Sequence, residues 1–419
     1  MYNGGAAMDK IKLITLITVL AMASSGLVSC GPGNRTDSSK AEKDTASAAE
    51  STADSDAQPA ADGNTPSNEE LARSGEVRDI SAMELVAEMK TGWNLGNSLD
   101  ATGAAGNASE VNWGNPKTTK EMIDAVYNKG FDVIRIPVTW GGHVGDGPDY
   151  KIDEDWLARV QEVVNYAYDD GAYVIINSHH EEDWRIPDNE HIDAVDEKTA
   201  AIWKQVAERF KDYGDHLIFE GLNEPRVKGS PQEWNGGTEE GRRCVERLNQ
   251  TFLDTVRATG GNNEKRLLLM TTYASSSGLN VIKDTAIPED DHIGFSIHAY
   301  TPYAFTYNAN ADWELFDWDG THDGDIISLM SNLKEYYLDK DIPVIITEYG
   351  AVNKDGNDED RAKWVTCYIE YAEKLGGIPC VWWDNGYYSS GNELFGIFDR
   401  NTCTWFTDTV TDAIIANAK

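Results

Sequence analysis

The sequence predicts an α/β protein built as a single (β/α)8 TIM barrel, and two observations carry this prediction. Short apolar runs recur along the chain after residue 71, and amphipathic stretches of helical period lie between them. Strands that are apolar on both faces and alternate with helices are typical of a parallel sheet. Eight such units in about 350 residues favour a closed barrel over the alternative, an open doubly wound sheet.

The strands and helices can be placed from these runs. We predict helices over 117–130, 153–171 and 359–377, of which the last two end in glycine, a frequent helix C-cap. The carboxyl ends of barrel strands meet on one face, so residues at those ends are candidates for an active site. The predicted strands are 92–97, 132–138, 173–177, 217–222, 266–270, 293–300, 343–347 and 380–385.

The N-terminal segment, residues 1–30, predicts a lipoprotein-type signal peptide. Two lysines flank the start of an apolar stretch at residues 11–22, which is too short for a comfortable membrane span. Residues 27–30, Leu-Val-Ser-Cys, resemble a bacterial lipobox, in which Cys30 becomes the lipidated first residue. The alternative is an ordinary signal peptide with an incidental cysteine. We expect an exported protein, either secreted or held at the cell surface by an acyl anchor.

Residues 31–70 predict a disordered linker. The segment is rich in Ser, Thr, Ala and Asp and contains no Val, Ile, Leu, Phe, Tyr or Trp. It therefore cannot bury enough apolar area to offset the entropy lost on ordering. Residues 71–419 then form one folded domain, for which we expect a monomer.

Composition restricts the partners. The formal net charge of −35 repels nucleic acid and anionic lipid headgroups, so we predict no nucleic-acid partner and membrane contact through the lipid anchor only. Thirteen Trp and 18 Tyr suit a carbohydrate ligand, since sugar rings pack their apolar faces on aromatic side chains. Five aromatic residues in predicted loops either line a cleft or anchor those loops: Trp113, Trp140, Trp184, Tyr303 and Trp318.

Polar side chains end most of the predicted strands. The fourth and seventh runs lead to Glu224 and Glu348, which a barrel would place on opposite sides of its mouth. A retaining glycosidase needs two carboxyl groups about 5–5.5 Å apart, and their repulsion raises the pKa of the one that acts as the acid. The other polar or aromatic residues at strand ends are Arg135, His179, His180, Asn223, His298, Tyr300, Trp383 and Asn385.

Seven short motifs follow one another along the chain, and they read GWNLGNSLD, VIRIPVTW, NSHHE, GLNEP, HAYTPY, TEYG and WWDNG. Any one motif alone would be weak, whereas seven in order are specific. Their order is the one seen in glycoside hydrolase family 5. They resemble most closely the subfamily 4 endo-β-1,4-glucanases (cellulases) of clan A, and the similarity runs from about residue 76 to the C-terminus.

The resemblance implies a retaining double displacement. Glu224 would be the acid/base, and Glu348 would be the nucleophile. Arg135 and Tyr300 would contact Glu348 and help to keep it ionised. Asn223 would bind the 2-hydroxyl of the sugar, a contact that strengthens in the transition state.

The resemblance also implies supporting roles around these residues. His179 and His298 would order the catalytic carboxylates or bind hydroxyls. Trp383 would form a sugar platform on the non-reducing side of the cleavage point, and Trp382 would pack behind the barrel, since neighbouring strand residues alternate faces. For His180, a substrate contact and a structural role beside His179 both remain open.

We predict no metal and no cofactor. Residues 179–183 read HHEED, but adjacent residues of an extended segment point in opposite directions. The i, i+4 histidine pair of zinc peptidases does not occur in this run. The cysteines of the predicted barrel leave three disulfide pairings open: they are Cys244, Cys367, Cys380 and Cys403.

The sequence therefore predicts an enzyme that hydrolyses internal bonds of cellulose-type or mixed-linkage β-glucans. A xyloglucanase, lichenase, xylanase or mannanase of the same fold and mechanism is the first alternative, because loops near Trp113, His191 and Trp318 would set the preferred backbone. A non-catalytic, surface glycan-binding lipoprotein is the second alternative. It predicts the loss of one of the two glutamates, and both are present.

Overall fold

A computed structural model of the protein describes residues 75–307, 315, 317–391 and 393–418. The predicted signal peptide with Cys30 and the predicted linker lie outside the described residues. All eight predicted strands are present. They are β1 (Thr91–Asn94), β2 (Val133–Ile136), β3 (Tyr173–Asn177), β4 (Leu217–Glu220), β5 (Leu268–Ser276), β6 (Ile293–His298), β7 (Val344–Tyr349) and β8 (Cys380–Trp382).

The eight strands form a closed barrel. Each strand pairs in parallel with the next, and β8 pairs with β1, where Trp382 lies opposite Trp93. The predicted (β/α)8 barrel is confirmed, and the doubly wound alternative is wrong. Because all strands run in one direction, the residues that follow their carboxyl ends share one rim.

Strand β5 differs from its prediction. We predicted 266–270, whereas the strand runs over Leu268–Ser276 with a shift of register against β6. Ala274 and Ser275 adopt positive φ angles of 55° and 48° within it. An irregularity of this kind re-aims side chains without leaving a mark in the hydrophobic pattern. Arg266 therefore precedes the strand.

Helices connect the strands, and the three predicted ones are present. Left-handed glycines, Gly130 and Gly377, end the first and the third, and the second ends at Tyr168 rather than at its predicted terminal glycine. A short antiparallel pair, β9 (Phe398–Asp399) and β10 (Thr404–Trp405), follows β8. The helices are α1 (Ala82–Ala87), α2 (Lys120–Lys129), α3 (Glu154–Tyr168), α4 (Ile192–Arg209), α5 (Glu239–Ala258), α6 (Leu279–Asp284), α7 (Tyr303–Thr306), α8 (Asp323–Tyr336), α9 (Asp358–Gly376) and α10 (Asp408–Asn417).

The main apolar core lies between the strands and the surrounding helices. Helix α3 turns Val160, Val163 and Val164 inward, as its period requires. Trp203 of α4 and Trp364 of α9 are fully buried in the same layer. The core therefore takes up part of the aromatic surplus that the composition shows.

The two ends of the barrel interior differ in chemistry. At the amino end, α1 packs Leu85 and Val86 against inward-facing apolar side chains such as Val133. Burial of this kind contributes roughly 25 cal/mol per Å² of apolar surface. At the carboxyl end, the interior holds charged side chains, among them Arg135 and Glu220. Polar chemistry is thus concentrated at the open rim.

Two further features of the described residues concern membrane spans and cysteines. Within the described residues, no helix is long and apolar enough to cross a lipid bilayer. Each of the four barrel cysteines is a free thiol, so none of the three possible disulfide pairings is formed: these are Cys244, Cys367, Cys380 and Cys403.

Candidate active site

A fully buried arginine organises the rim. Arg135 lies near the carboxyl end of β2, and all five of its N–H donors have acceptors. The charges of Glu220 and Glu348 raise its pKa against the opposing effect of burial. Its acceptors are Glu220 Oε2 and Oε1 at 2.6 and 2.9 Å, Glu348 Oε1 at 2.7 Å, Asn223 Oδ1 at 2.8 Å and Asn94 Oδ1 at 2.9 Å.

Glu220 was missed by the sequence analysis. It is fully buried on β4, four residues before Glu224, and holds the guanidinium of Arg135 with both oxygens. The hydroxyl of Ser296 donates a third hydrogen bond to Glu220, at 2.9 Å. The available signal was a glutamate inside an apolar strand, because a buried carboxylate requires a partner of opposite charge.

Glu348 lies on β7 and is only 5% exposed. Its Oε1 accepts from Arg135, and its Oε2 accepts from the Tyr300 hydroxyl at 3.0 Å. His298 Nδ1 lies 3.4 Å from the same Oε2. Burial raises the pKa of Glu348, and the positive charges of His298 and Arg135 partly offset that rise. Arg135 and Tyr300 thus hold this carboxylate in one orientation.

Glu224 follows β4 and lies across the mouth from Glu348. Its Oε1 is 2.8 Å from His298 Nδ1, and its Oε2 is 3.5 Å from Arg226 Nη1. An oxygen of each carboxylate and a nitrogen of His298 all lie within 4.8 Å of one another. The two glutamates named from strand ends therefore meet with one imidazole between them.

The electrostatics of this trio differ from the expectation. We predicted that repulsion raises the pKa of the acid, Glu224. Burial does raise it, but the hydrogen bond and charge of His298 and the charge of Arg226 lower the pKa of Glu224 overall. The pKa of His298 is raised by Glu348 and Glu224, against the effect of burial. His298 thus lies between the two carboxylates, and both of them favour its protonated form.

The two histidines after β3 lie side by side. Burial, with the charges of His180 and Arg135, lowers the pKa of His179, so this ring is neutral, and Asn177 lies 3.0 Å from its Nδ1. The ring of His180 packs edge-to-face on that of His179 at 4.5 Å. The expectation that these neighbours point in opposite directions is therefore wrong. His180 also contacts the ring of Trp113, 5.3 Å away between centroids.

His179 and His180 approach Asp100, and the three residues offer potential ligand atoms within 4.8 Å of one another. Asp100 already accepts the backbone N–H groups of Ser98 and Asn97, at 2.7 and 3.0 Å. These hydrogen bonds hold the Asp100 carboxylate against the backbone of its own loop, which follows β1.

The tandem tryptophans at the end of β8 face opposite sides. Trp383 lies parallel to the ring of His179, with centroids 5.7 Å apart, and is 7% exposed. A Cβ at Gly96 would lie 2.8 Å from the Trp383 ring, so glycine is required there. Trp382 is fully buried in the main core and donates from Nε1 to the carbonyl of Phe395 at 3.0 Å.

The five loop aromatics divide into three groups by burial. Trp140 and Trp318 are buried and anchor their loops, whereas Trp113 and Trp184 are half-buried. Tyr303 is 51% exposed. The sequence analysis also missed three residues that are joined to Glu224 through Arg226. Arg226 lies 3.5 Å from Glu224 and 3.1 Å from Glu182, and it packs on the ring of Trp234.

The fold and the paired carboxylates define a glycoside hydrolase of the (β/α)8 class. Comparison with known proteins gives the family: residues 98–389 match the model described as cellulase (glycosyl hydrolase family 5), and the chain belongs to this family. The chain is similar to endoglucanase A of Ruminococcus albus, with 93% identity over 350 residues, covering 84% of this chain and 96% of the relative.

The chain is also similar to solved structures of family 5 endoglucanases. One is a family 5 xyloglucan-specific endo-β-1,4-glucanase from a metagenomic library, in complex with cellotriose, with a TM-score of 0.78, 46% identity and coverage of 80% of this chain and 99% of that one. Another is a broad-specificity subfamily 4 endoglucanase from Ruminococcus champanellensis with bound cellotriose, with a TM-score of 0.78, 42% identity and coverage of 81% and 99%.

Proposed function

We propose that the protein is a retaining endo-β-1,4-glucanase that cleaves internal bonds of cellulose-type or mixed-linkage glucans. The observation that carries this proposal is the pair Glu224 and Glu348, which bring one oxygen of each carboxylate to within 4.8 Å of the other. This separation suits the roughly 5–5.5 Å of retaining enzymes and is well short of the roughly 6.5–9.5 Å of inverting ones. The endoglucanases among its relatives support the substrate class.

In the first step, the Glu348 carboxylate attacks the anomeric carbon, and the bond from that carbon to the leaving oxygen breaks. Glu224 gives a proton to this oxygen, so the leaving chain departs as an alcohol and the sugar remains as an ester of Glu348. His298, 2.8 Å from Glu224, is placed to supply that proton.

In the second step, a water molecule replaces the departed chain. Glu224, now ionised, takes a proton from the water, and the oxygen of that water forms a bond to the anomeric carbon. The ester bond breaks and returns the electron pair to Glu348. Two inversions at one carbon retain the β configuration.

The contacts of the site support specific roles for the remaining residues. Arg135 and Tyr300 donate to Glu348 and stabilise its carboxylate as it leaves the ester. Arg135 also holds Asn223 Oδ1, which leaves the amide N–H2 of Asn223 for the 2-hydroxyl of the sugar. The neutral His179 and the ring of Trp383 line the non-reducing side, and His180 lies at its edge.

A glucan with side chains is the second candidate substrate. The structural neighbours include a xyloglucan-specific enzyme at 46% identity. Reducing ends and viscosity should be followed on carboxymethylcellulose, barley β-glucan, xyloglucan, xylan and mannan. A rapid fall in viscosity with few new reducing ends on the glucans supports endo action. Activity only on the other polymers would change the specificity, and silence on all five would contradict the proposal.

The two glutamates are distinguished by their leaving-group dependence. Glu224→Gln should slow substrates with poor leaving groups far more than activated aryl glycosides, because the latter need no proton. Glu348→Gln should abolish turnover of both, a loss on the order of 10⁵-fold for a missing nucleophile. Equal and mild losses in the two variants would overturn the assignment.

We further propose that the enzyme is exported and anchored through Cys30, as a monomer. The lipobox-like residues before Cys30 support this proposal. Mass spectrometry of the mature N-terminus should find an acylated Cys30, and Cys30→Ala should release active enzyme from the membrane fraction. An unmodified N-terminus beginning elsewhere would contradict the anchor.

A further inference from the structure

Asn177 is the last residue of β3, is fully buried and lies two positions before His179. Its side-chain amide stands between the backbone of the neighbouring strand's end and the imidazole of His179. Oδ1 accepts the backbone N–H of Val138 at 3.0 Å, and Nδ2 lies 3.0 Å from His179 Nδ1. The amide therefore connects the barrel backbone to a residue of the site.

The orientation of this amide follows from the groups that it contacts. A backbone N–H can only donate, so the oxygen of the Asn177 amide faces Val138 and the NH2 group faces the ring. The NH2 group can only donate, so His179 Nδ1 is an acceptor and carries no hydrogen. Burial and the charges of His180 and Arg135 lower the pKa of His179, so the ring is neutral. A neutral imidazole keeps one hydrogen, which therefore lies on Nε2.

The ring of His179 is also fixed in space. The backbone N–H of His179 donates to the carbonyl of Val138 at 2.8 Å, and the ring lies 3° from parallel to that of Trp383, with centroids 5.7 Å apart. A pyranose that packs on Trp383 lies parallel to the indole, and its equatorial hydroxyls point outward near the plane of the sugar. An imidazole N–H lies in the plane of its own ring. The two planes are therefore parallel, which suits a hydrogen bond between N–H and hydroxyl.

We propose that Asn177 is a positioning residue that holds His179 in its Nε2–H tautomer, so that this ring serves as a hydrogen-bond donor to a hydroxyl of the glucosyl unit on Trp383. This inference rests on the proposed function. In the part of the chain that the structure describes, His179 makes its ring hydrogen bond through Nδ1, which leaves Nε2–H for a ligand. A donor that is held ready in this way needs no rearrangement when the sugar enters.

The tautomer can be observed directly in the full chain. Long-range proton–nitrogen correlation spectra of protein with isotope-labelled histidine distinguish a ring nitrogen that carries hydrogen from one that does not. At about pH 8, well above the ordinary pKa of histidine, wild-type His179 should carry hydrogen on Nε2 only. Its signals are identified by their absence from the spectrum of His179→Gln. Hydrogen on Nδ1 of the wild-type protein would overturn the proposal, whether or not any variant of Asn177 folds.

Asn177→Asp keeps the shape of the side chain and replaces the NH2 donor by an acceptor. One carboxylate oxygen can still accept from Val138, whereas the other can accept only from a protonated Nδ1 of His179. The hydrogen of His179 should therefore move to Nδ1. The kcat/KM on 4-nitrophenyl β-cellobioside should then fall about tenfold, the effect of losing one hydrogen bond.

Asn249→Asp is the matched control for a buried amide that becomes an acid. Asn249 lies on α5, is fully buried, and exchanges two hydrogen bonds with the backbone of Thr271, at 2.8 and 3.2 Å. This variant loses a buried donor as Asn177→Asp does, but the donor does not face His179. The folded variant should keep the tautomer of His179 and a kcat/KM within about twofold of the wild type.

Substrates that lack one hydroxyl test the contact with the sugar. Two derivatives of 4-nitrophenyl β-cellobioside lack the 3- or the 6-hydroxyl of the unit that is joined to the nitrophenyl group. Removal of the hydroxyl that His179 binds should lower the kcat/KM of the wild type about tenfold. The same removal should cost Asn177→Asp about twofold or less, because this variant has already lost the contact. Equal costs in the two enzymes on both derivatives would overturn the donor role.

The outcomes separate this inference from the proposed function. Wild-type protein that cleaves no cellobioside contradicts the proposed function and the donor role with it, while the spectra still report the tautomer. Active enzyme in which Asn177→Asp leaves the hydrogen of His179 on Nε2 alone overturns the positioning role and not the proposed function. A loss of activity while Nε2 keeps its hydrogen would also overturn the inference, because the loss would then come from the added charge.

Discussion

Two buried arginines lie at opposite ends of the barrel, and their N–H groups donate to different kinds of acceptor. Arg135, at the carboxyl end of β2, and Arg266, just before β5, are both 0% exposed, and both have acceptors for all five donors. Arg135 donates to two carboxylates and two amide side chains. Arg266 donates to the side chain of Asn263 and to the backbone carbonyls of Phe210, Tyr213, Gly214 and Leu217.

The difference lies in the charge of the acceptors. Carboxylates raise the pKa of Arg135 despite its burial. Burial lowers the pKa of Arg266 to about 9, because its direct partners are neutral oxygens. The scaffold arginine satisfies backbone carbonyls that would otherwise be buried without donors. The site arginine partly offsets the rise that burial causes in the pKa of Glu348. It also holds Glu348 Oε1, while Oε2 of the same carboxylate faces Tyr300 and His298.

Replacement of Arg135 gives the largest expected effect. Arg135→Gln removes a charged donor to the nucleophile, and we expect kcat/KM on barley β-glucan to fall on the order of 10³-fold. The same change leaves Glu220 buried without its partner, which costs about 3–5 kcal/mol of unfolding free energy. Urea unfolding and activity per folded molecule should be measured together.

A double variant separates the two effects of Arg135. Arg135→Gln combined with Glu220→Gln removes the unpaired buried charge, so stability should recover while activity stays low. If activity recovers with stability, the arginine serves the scaffold, and the contrast with Arg266 is lost.

Replacement of Arg266 should have the reverse outcome. Arg266→Met leaves several buried carbonyls without a donor, and each costs roughly 1–3 kcal/mol. We expect a loss of about 3 kcal/mol in unfolding free energy on these grounds. The kcat/KM of the folded enzyme should be unchanged. A fall in activity of folded enzyme would contradict the assignment of Arg266 to the scaffold.

The position of Arg135 in the barrel can be predicted from the sequence better than the position of Arg266. Arg135 lies near the carboxyl end of a barrel strand, where position alone indicates a site, and the same rule leads to Glu224 and Glu348. Arg266 stood inside a predicted strand, because the bulged path of β5 leaves no mark in the hydrophobic pattern. The position of a residue relative to a strand end can be read from the apolar run that precedes it, because both lie in the same short stretch of sequence.

Partners are harder to predict than positions. Arg135 and Glu220 are 85 residues apart in the chain, and Arg226 is tied to Trp234 through a loop of irregular backbone. Such pairs depend on register and packing, which no local pattern encodes. Only the glutamate inside the β4 run could have pointed to a buried charge pair.

A smaller effect is expected from the second donor to the nucleophile. Tyr300→Phe removes the hydroxyl that donates to Glu348 Oε2 at 3.0 Å. Hydrogen bonds to charged groups contribute about 1.5–3 kcal/mol, so kcat should fall about 10- to 100-fold with little change in stability. Tyr337→Phe is the matched control, since Tyr337 is 1% exposed and packs against Phe295 behind the barrel. A similar loss in both variants would show that the effect is not specific to the site.

The smallest expected effect is on the pH dependence of stability, and it comes from a buried histidine whose neutral form is favoured. His143, in the turn after β2, stacks on Trp156 with centroids 3.8 Å apart, and burial lowers its pKa to about 4. Between the ordinary value of 6.5 and 4, the unfolded chain binds a proton that the folded protein does not, so stability is lost as the pH falls through this window. His143→Phe keeps the stack and removes the titration, so its unfolding free energy should decline less from pH 6.5 to 4. Parallel declines in wild type and variant would mean that His143 contributes nothing to the acid sensitivity, which would then come from the carboxylates alone.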